Sequence, residues 1–121
     1  MDPTEVGARP QARPGREIAD AVVRITREMT GRGPVSARVV LDDDAVVVLM
    51  HEVLTKGEQV LVDHDRADEV LATRKAFQDV MRPAFVAEVQ RITGRRVATF
   101  MSTNHASPDR SAEIFLLDPA D

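Results

Sequence analysis

No cysteine, tryptophan or tyrosine occurs in the 121 residues, and phenylalanine occurs only four times. Without cysteine there is no disulfide framework and no thiol nucleophile, which suits a bacterial-type cytoplasm. So few aromatic rings leave little with which to stack single-stranded bases. Positive charge is not in excess either. Lys plus Arg number 16 against 20 Asp plus Glu, a net charge of −4, the reverse of a phosphate-backbone footprint, so no nucleic-acid partner is expected. The longest apolar run, Ala45 to Met50 (AVVVLM), falls far short of the roughly 20 residues that cross a bilayer. Direct membrane insertion is therefore not expected. The first residues, MDPTEVGARPQARPGRE, lack the apolar centre of a secretory signal, so the expected location is cytoplasmic.

What remains is the material of one globular domain: 121 residues and 43% hydrophobic content are enough for one ordinary core. Residues 1–15 carry Pro3, Gly7, Pro10, Pro14 and Gly15 among charged and small residues. They read as a flexible tail that cannot bury enough apolar surface to offset the entropy of ordering. The folded domain is expected over residues 16–121.

Ile18, Val22, Ile25 and Met29 are spaced four, three and four apart, as on one stripe of a helix ending near Thr30. Val35 to Leu41 and Ala45 to Leu49 are β-branched runs joined by Asp42 to Asp44, a hairpin signal with a solvated acidic turn. The second run is apolar on both faces, which calls for cover on each side, from helices or from a second copy in an oligomer. Thr55 and Glu58 match a capping box and start a short helix over Lys56 to Val62. From Val70 through Leu71, Phe77, Val80, Met81, Phe85, Val86, Val89 and Ile92, helical spacing continues up to Gly94, a left-handed stop. Pro83 lies inside that helix and predicts a kink near Asp79 to Pro83. Val97 to Ser102 and Glu113 to Leu117 form a second hairpin around TNHASPDRS. The predicted fold is two-layer α+β in the order α-β-β-α-α-β-β. It has a four-stranded, mostly antiparallel sheet of two hairpins, with helices on one face.

Candidate chemistry is sparse. The segment TGRGP invites comparison with a phosphate cradle, yet Gly31 follows a helix and Pro34 enters a strand. Carbonyls, not N–H groups, point outward there. Gly31 reads as the helix stop, Gly33 as relief of crowding before the proline, and Gly31, Gly33 and Pro34 together as a shaped loop. An anion site made by side chains would draw on Arg32, Arg38 or Arg74. Arg74 falls on or beside the apolar stripe of the long helix, where a charge needs a partner or a pocket. His105 with Asp109 is the weak candidate for a metal or acid–base pair, and a polar turn built with Asn104 and Pro108 is the better account of both residues. The serines lie in no GxSxG elbow and no HExxH is present. No catalytic residues and no cofactor are assigned, and a non-enzymatic protein is expected.

The ordered segments GRGPVSARVVLDDDAVVVLM, LTKGEQVL, RKAFQDVMRPAFVAEVQRITGRRV and SPDRSAEIFLL resemble the MpsC-like domain family over about Glu17 to Leu117. The shared pattern falls on Gly31 to Pro34, on Leu54, Thr55 and Glu58, on Arg74 and Phe77, on Gly94, and on Asp109 and Phe115. Pro83 departs from it. The resemblance implies an accessory soluble subunit, peripheral to the membrane through a protein partner that moves sodium or inorganic carbon, with no catalytic residues to carry over. A homodimeric interaction domain fits that role. The alternatives are a sensor of a small anion, bicarbonate or a phosphorylated metabolite, and an RNA binder of the KH type, for which the loop VDHDRAD lacks a GXXG.

Overall fold

A computed structural model describes residues 13–34 and 36–119. The elements run α1 (Arg13–Thr30), β1 (Ser36–Asp42), β2 (Ala45–His51), α2 (Lys56–Asp63), α3 (Ala67–Thr93), β3 (Val97–His105) and β4 (Arg110–Leu117). This is the α-β-β-α-α-β-β order of an α+β fold. The four strands form one antiparallel sheet in the order β1-β2-β4-β3. The two hairpins are thus joined side by side through β2 and β4, which take the centre.

Helix α1 begins at Arg13, so three residues assigned to the tail, Arg13 to Gly15, are helical instead. Pro14 suits a first helical turn, where its missing N–H has no partner to lose. Gly15 is buried, and Arg13 pairs with Glu17 at 3.3 Å. The rest of the tail, Val35 and residues 120–121 lie outside the described residues. Ile18, Val22 and Ile25 are buried as the stripe requires, whereas Met29 is exposed and Thr26 is buried in its stead. Gly31 ends the helix with φ +82°, its N–H donating to the Arg27 carbonyl at 2.9 Å.

Helix α3 runs unbroken through Pro83 for 27 residues. The carbonyl of Asp79, which the proline cannot serve, belongs to an exposed residue, and Val80 and Pro83 beside it are exposed as well, so water can satisfy it. Val80 is accordingly not a core residue. The buried stripe of α3 is Val70, Arg74, Gln78, Met81, Phe85 and Val89, apolar at both ends and polar for one turn between. Gly94 closes the helix in the left-handed region.

Between the helices and the sheet lies the core: Ile18, Val22, Val46, Val48, Met50, Met81, Phe85, Val89 and Phe115 are among its members. Three rings stack through it, Phe85 to Phe100 at 6.3 Å and Phe100 to Phe115 at 5.0 Å. The second hairpin is longer than expected. Thr103, Asn104 and His105 extend β3, and Arg110, Ser111 and Ala112 extend β4, leaving a short turn. The acidic turn of the first hairpin is not simply solvated: Arg95 donates to the Asp43 carbonyl, to the Asp44 carboxylate at 2.6 Å and to the Asp118 carbonyl.

Register fixes what each strand presents. Val39, Val48, Glu113 and Ser102 share one row across the sheet, and Val46, Phe115 and Phe100 another; these rows face the helices. The alternate positions, Val40, Val47, Leu49, Ala112, Ile114, Leu116 and Met101, face away. No element of the described chain covers them.

A buried polar cluster beneath the long helix

The polar turn of α3 places Arg74 and Gln78 one above the other on its buried stripe, 3% and 4% exposed. Arg74 Nη1 lies 3.6 Å from Glu58 Oε1 and 3.5 Å from the Val53 carbonyl. Glu58 is held in turn by its capping box. Its Oε1 accepts the Thr55 N–H at 2.8 Å, while the Thr55 hydroxyl accepts the Glu58 N–H at 3.1 Å. One carboxylate therefore both caps α2 and neutralises the buried guanidinium.

One turn along, the Gln78 and Asn104 amides bond each other reciprocally, at 3.1 and 2.8 Å. Gln78 Nε2 also donates to Glu113 Oε2 at 3.2 Å. Glu113 sits on a central strand, faces the helices and is 1% exposed. Burial pushes its carboxyl up to about 7, while Ser102, Gln78 and Arg74 act in the opposite sense. Ser102 stands across the β3–β4 register from it. The Ser102 hydroxyl bonds the Glu113 carboxyl across that pair, and Ser111 Oγ is buried beside it without a hydrogen-bond partner. Outside this cluster, Leu71, Lys75, Asp79, Arg82, Phe100 and Thr103 join Gln78, Ser102 and Asn104 around a groove of about 260 Å³.

The arginines singled out in the sequence are not gathered at one point. Arg32 Nη2 donates to the Glu52 carbonyl at 3.3 Å, and Arg74 reaches the next carbonyl, that of Val53. These two hold neighbouring peptides of the β2–α2 connection. Arg38 is exposed on β1, opposite Leu49 and on the far side of the sheet from Arg74. Gly33 sits where an added Cβ would lie 3.2 Å from the Arg27 guanidinium, so the Arg27 side chain, besides the proline, crowds it.

His105 is exposed, its Nδ1 2.9 Å from the Pro108 carbonyl. Asp109 points elsewhere: its Oδ2 accepts the Leu54 N–H at 2.9 Å, and its carbonyl accepts the Glu52 N–H at 3.0 Å. It ties the second hairpin to the β2–α2 connection. Among the described residues no group of three His, Cys, Asp or Glu is placed to hold a metal ion.

Sequence reasoning singled out Arg74 but missed Gln78 and Glu113. On β4 the set Ala112, Ile114 and Leu116 is the more apolar, and alternation alone would send it inward; the opposite set, Ser111, Glu113, Phe115 and Leu117, is the buried one. The usable signal was the amide of Gln78, one turn from Arg74 on the same stripe.

A family model described as "Na+-translocating membrane potential-generating system (MpsC)" matches residues 13–119. The chain belongs to the MpsC family. That match takes in every element of the fold, and it associates the chain by name with a sodium-translocating membrane system. Neither the curated proteins nor the solved structures gave a match to this member of the family. None of its helices, among the described residues, is long and apolar enough to cross a membrane.

Proposed function

We propose that this MpsC-family chain is a non-catalytic accessory or regulatory subunit of a sodium-translocating, membrane-potential-generating system. It works on the cytoplasmic side as a homodimer and reaches the membrane through a protein partner. The observation that carries the reading is the uncovered face of the sheet. Val40, Met101 and Leu116 are 44%, 45% and 38% exposed there, flanking half-buried Val47, Leu49 and Ile114. A monomer leaves such a face in water at a cost, and a second copy packed sheet to sheet buries it symmetrically.

The non-catalytic part rests on how the reactive side chains are used. Asp109 caps backbone, Arg74 and Glu58 neutralise each other, and His105 closes a turn. A small-anion sensor built on Arg32, Arg38 and Arg74 has less support, since two of them hold carbonyls and the third lies on the other face.

Light scattering on the purified chain at micromolar concentration is expected to give a dimer, and Leu116→Arg a folded monomer with unchanged far-ultraviolet circular dichroism. A wild-type monomer throughout that range would reject the dimer. Affinity capture from native membranes that recovers no membrane protein would reject the accessory role.

A further inference from the structure

On the open face of the sheet, every second residue of each strand points away from the helices, and the register lines these residues up in rows that cross all four strands. The row through Val40 is apolar throughout. On one side of it stands the row of Arg38, and on the other the row of Asp42. Both charged residues are exposed, and neither has an ion-pair partner among the described residues. They cannot pair with each other, because four residues of one strand at roughly 3.3 Å each set them about 13 Å apart. We propose that a second copy covers this face with its strands reversed, on a two-fold axis that crosses the strands through the Val40 row, so that Arg38 of each copy pairs with Asp42 of the other. The arrangement rests on the homodimer proposed above and adds its direction and its charged contacts.

Turning one copy about that axis lays Val40, Val47, Ile114 and Met101 each on its own equivalent. The Arg38 row, with Leu49, Ala112 and Thr103, then falls on the Asp42 row, with Ala45, Leu116 and Thr99. Base meets acid twice, Leu49 meets Ala45, and Ala112 meets Leu116, large side chain against small, as interlocking sheets require.

The other face-to-face two-fold has its axis along the strands. It sets Leu49 on Ala112 and Ala45 on Leu116, so size does not choose between the two. Charge does. The axis along the strands lays Arg38 on Thr103 and Asp42 on Thr99, and it brings Arg110 over His51, so that no opposite charges meet. At the acidic end of the face Arg95 and Arg96 are already engaged with Asp44 and Asp118, which leaves Asp42 for the arginine of the second copy. Complementary charges around an apolar patch set the register in which two surfaces dock. Because the axis crosses the strands, β3 of one copy lies over β3 of the other, and the two grooves beside Gln78 open on the same flank of the dimer.

The test is sedimentation equilibrium of the full chain and its charge-reversed variants. Arg38→Asp and Asp42→Arg each turn two attractions into two repulsions, and each is expected to weaken self-association about thirtyfold with the circular dichroism of the wild type. Arg38→Asp is acidic at both positions and Asp42→Arg basic at both, so an equimolar mixture is expected to form heterodimers, and the double reversal is expected to dimerise again. A second readout leaves the charges alone. The chain has no cysteine, so Val40→Cys carries a single thiol on the axis, and a short bismaleimide is expected to join two such chains. A wild-type dimer whose reversed variants associate at unchanged strength would overturn the arrangement and leave the dimer standing. So would cross-linking confined to mixtures of Val40→Cys with Met101→Cys, which places the axis along the strands. A wild-type monomer defeats the dimer itself, and the arrangement with it.

Discussion

At Glu52 the backbone turns left-handed, with φ 56°, a region that disfavours a side chain with a Cβ. The turn is held from both sides. The Glu52 N–H is taken by the Asp109 carbonyl and its own carbonyl by Arg32, so the strain buried in the chain path is offset by two long-range bonds. Its exposed side chain contributes neither of these backbone bonds. Glu52→Gly should therefore leave the fold unchanged and stabilise it by up to about 1 kcal/mol, while Glu52→Val should cost about 1 kcal/mol. Urea denaturation of the two variants checks both signs. Arg32, the arginine of the glycine loop, is explained at this scale: it restrains a strained peptide. The sequence could name Arg32 but not Glu52, because nothing in HEVLT announces a positive φ.

Among the elements, α2 depends on a cap that has a second duty. Thr55→Ala removes one capping bond and should cost about 1 kcal/mol. Glu58→Ala removes the other and also strands Arg74 without its counter-charge, so it should cost several times as much, about 3 kcal/mol. Adding Arg74→Met to Glu58→Ala should restore part of that loss, and a double-mutant cycle by chemical denaturation measures the coupling. The capping box, the Gly31 and Gly94 stops and the long third helix were all legible in the sequence, because each is written in local spacing and local backbone chemistry. What was not legible is set by neighbours distant in sequence. Ser111 and Glu113 face inward because β4 lies beside β2 and β3 and beneath the polar turn of α3, and no pattern within SAEIFLL encodes that. Likewise the Asp42 to Asp44 turn reads as solvated until Arg95, 51 residues beyond Asp44, is brought to it.

For the molecule as a whole, Glu113 sets a slope of stability against pH. Its carboxyl ionises near 4.5 in the unfolded chain and about 7 in the fold. Between those values the native state holds the extra proton. Its contribution is complete below pH 4.5 and is lost as pH rises through 7, to a total of about 3 kcal/mol. Urea titrations from pH 5 to pH 8.5 in choline chloride should show this fall, and Glu113→Gln should flatten it. A further consequence lies in the strand order β1-β2-β4-β3. The inner edge of β2 meets its partner only at residues 110–116, 59 to 71 positions later along the chain (His51 with Arg110, Ala45 with Leu116). Emerging from the ribosome, the first hairpin must wait with an unsatisfied edge and two apolar sides until nearly all the domain has been synthesised. Non-local pairing of this kind is slow and exposed to aggregation. The nascent domain therefore has a window of vulnerability during translation, in which β2 is the segment a chaperone would shield.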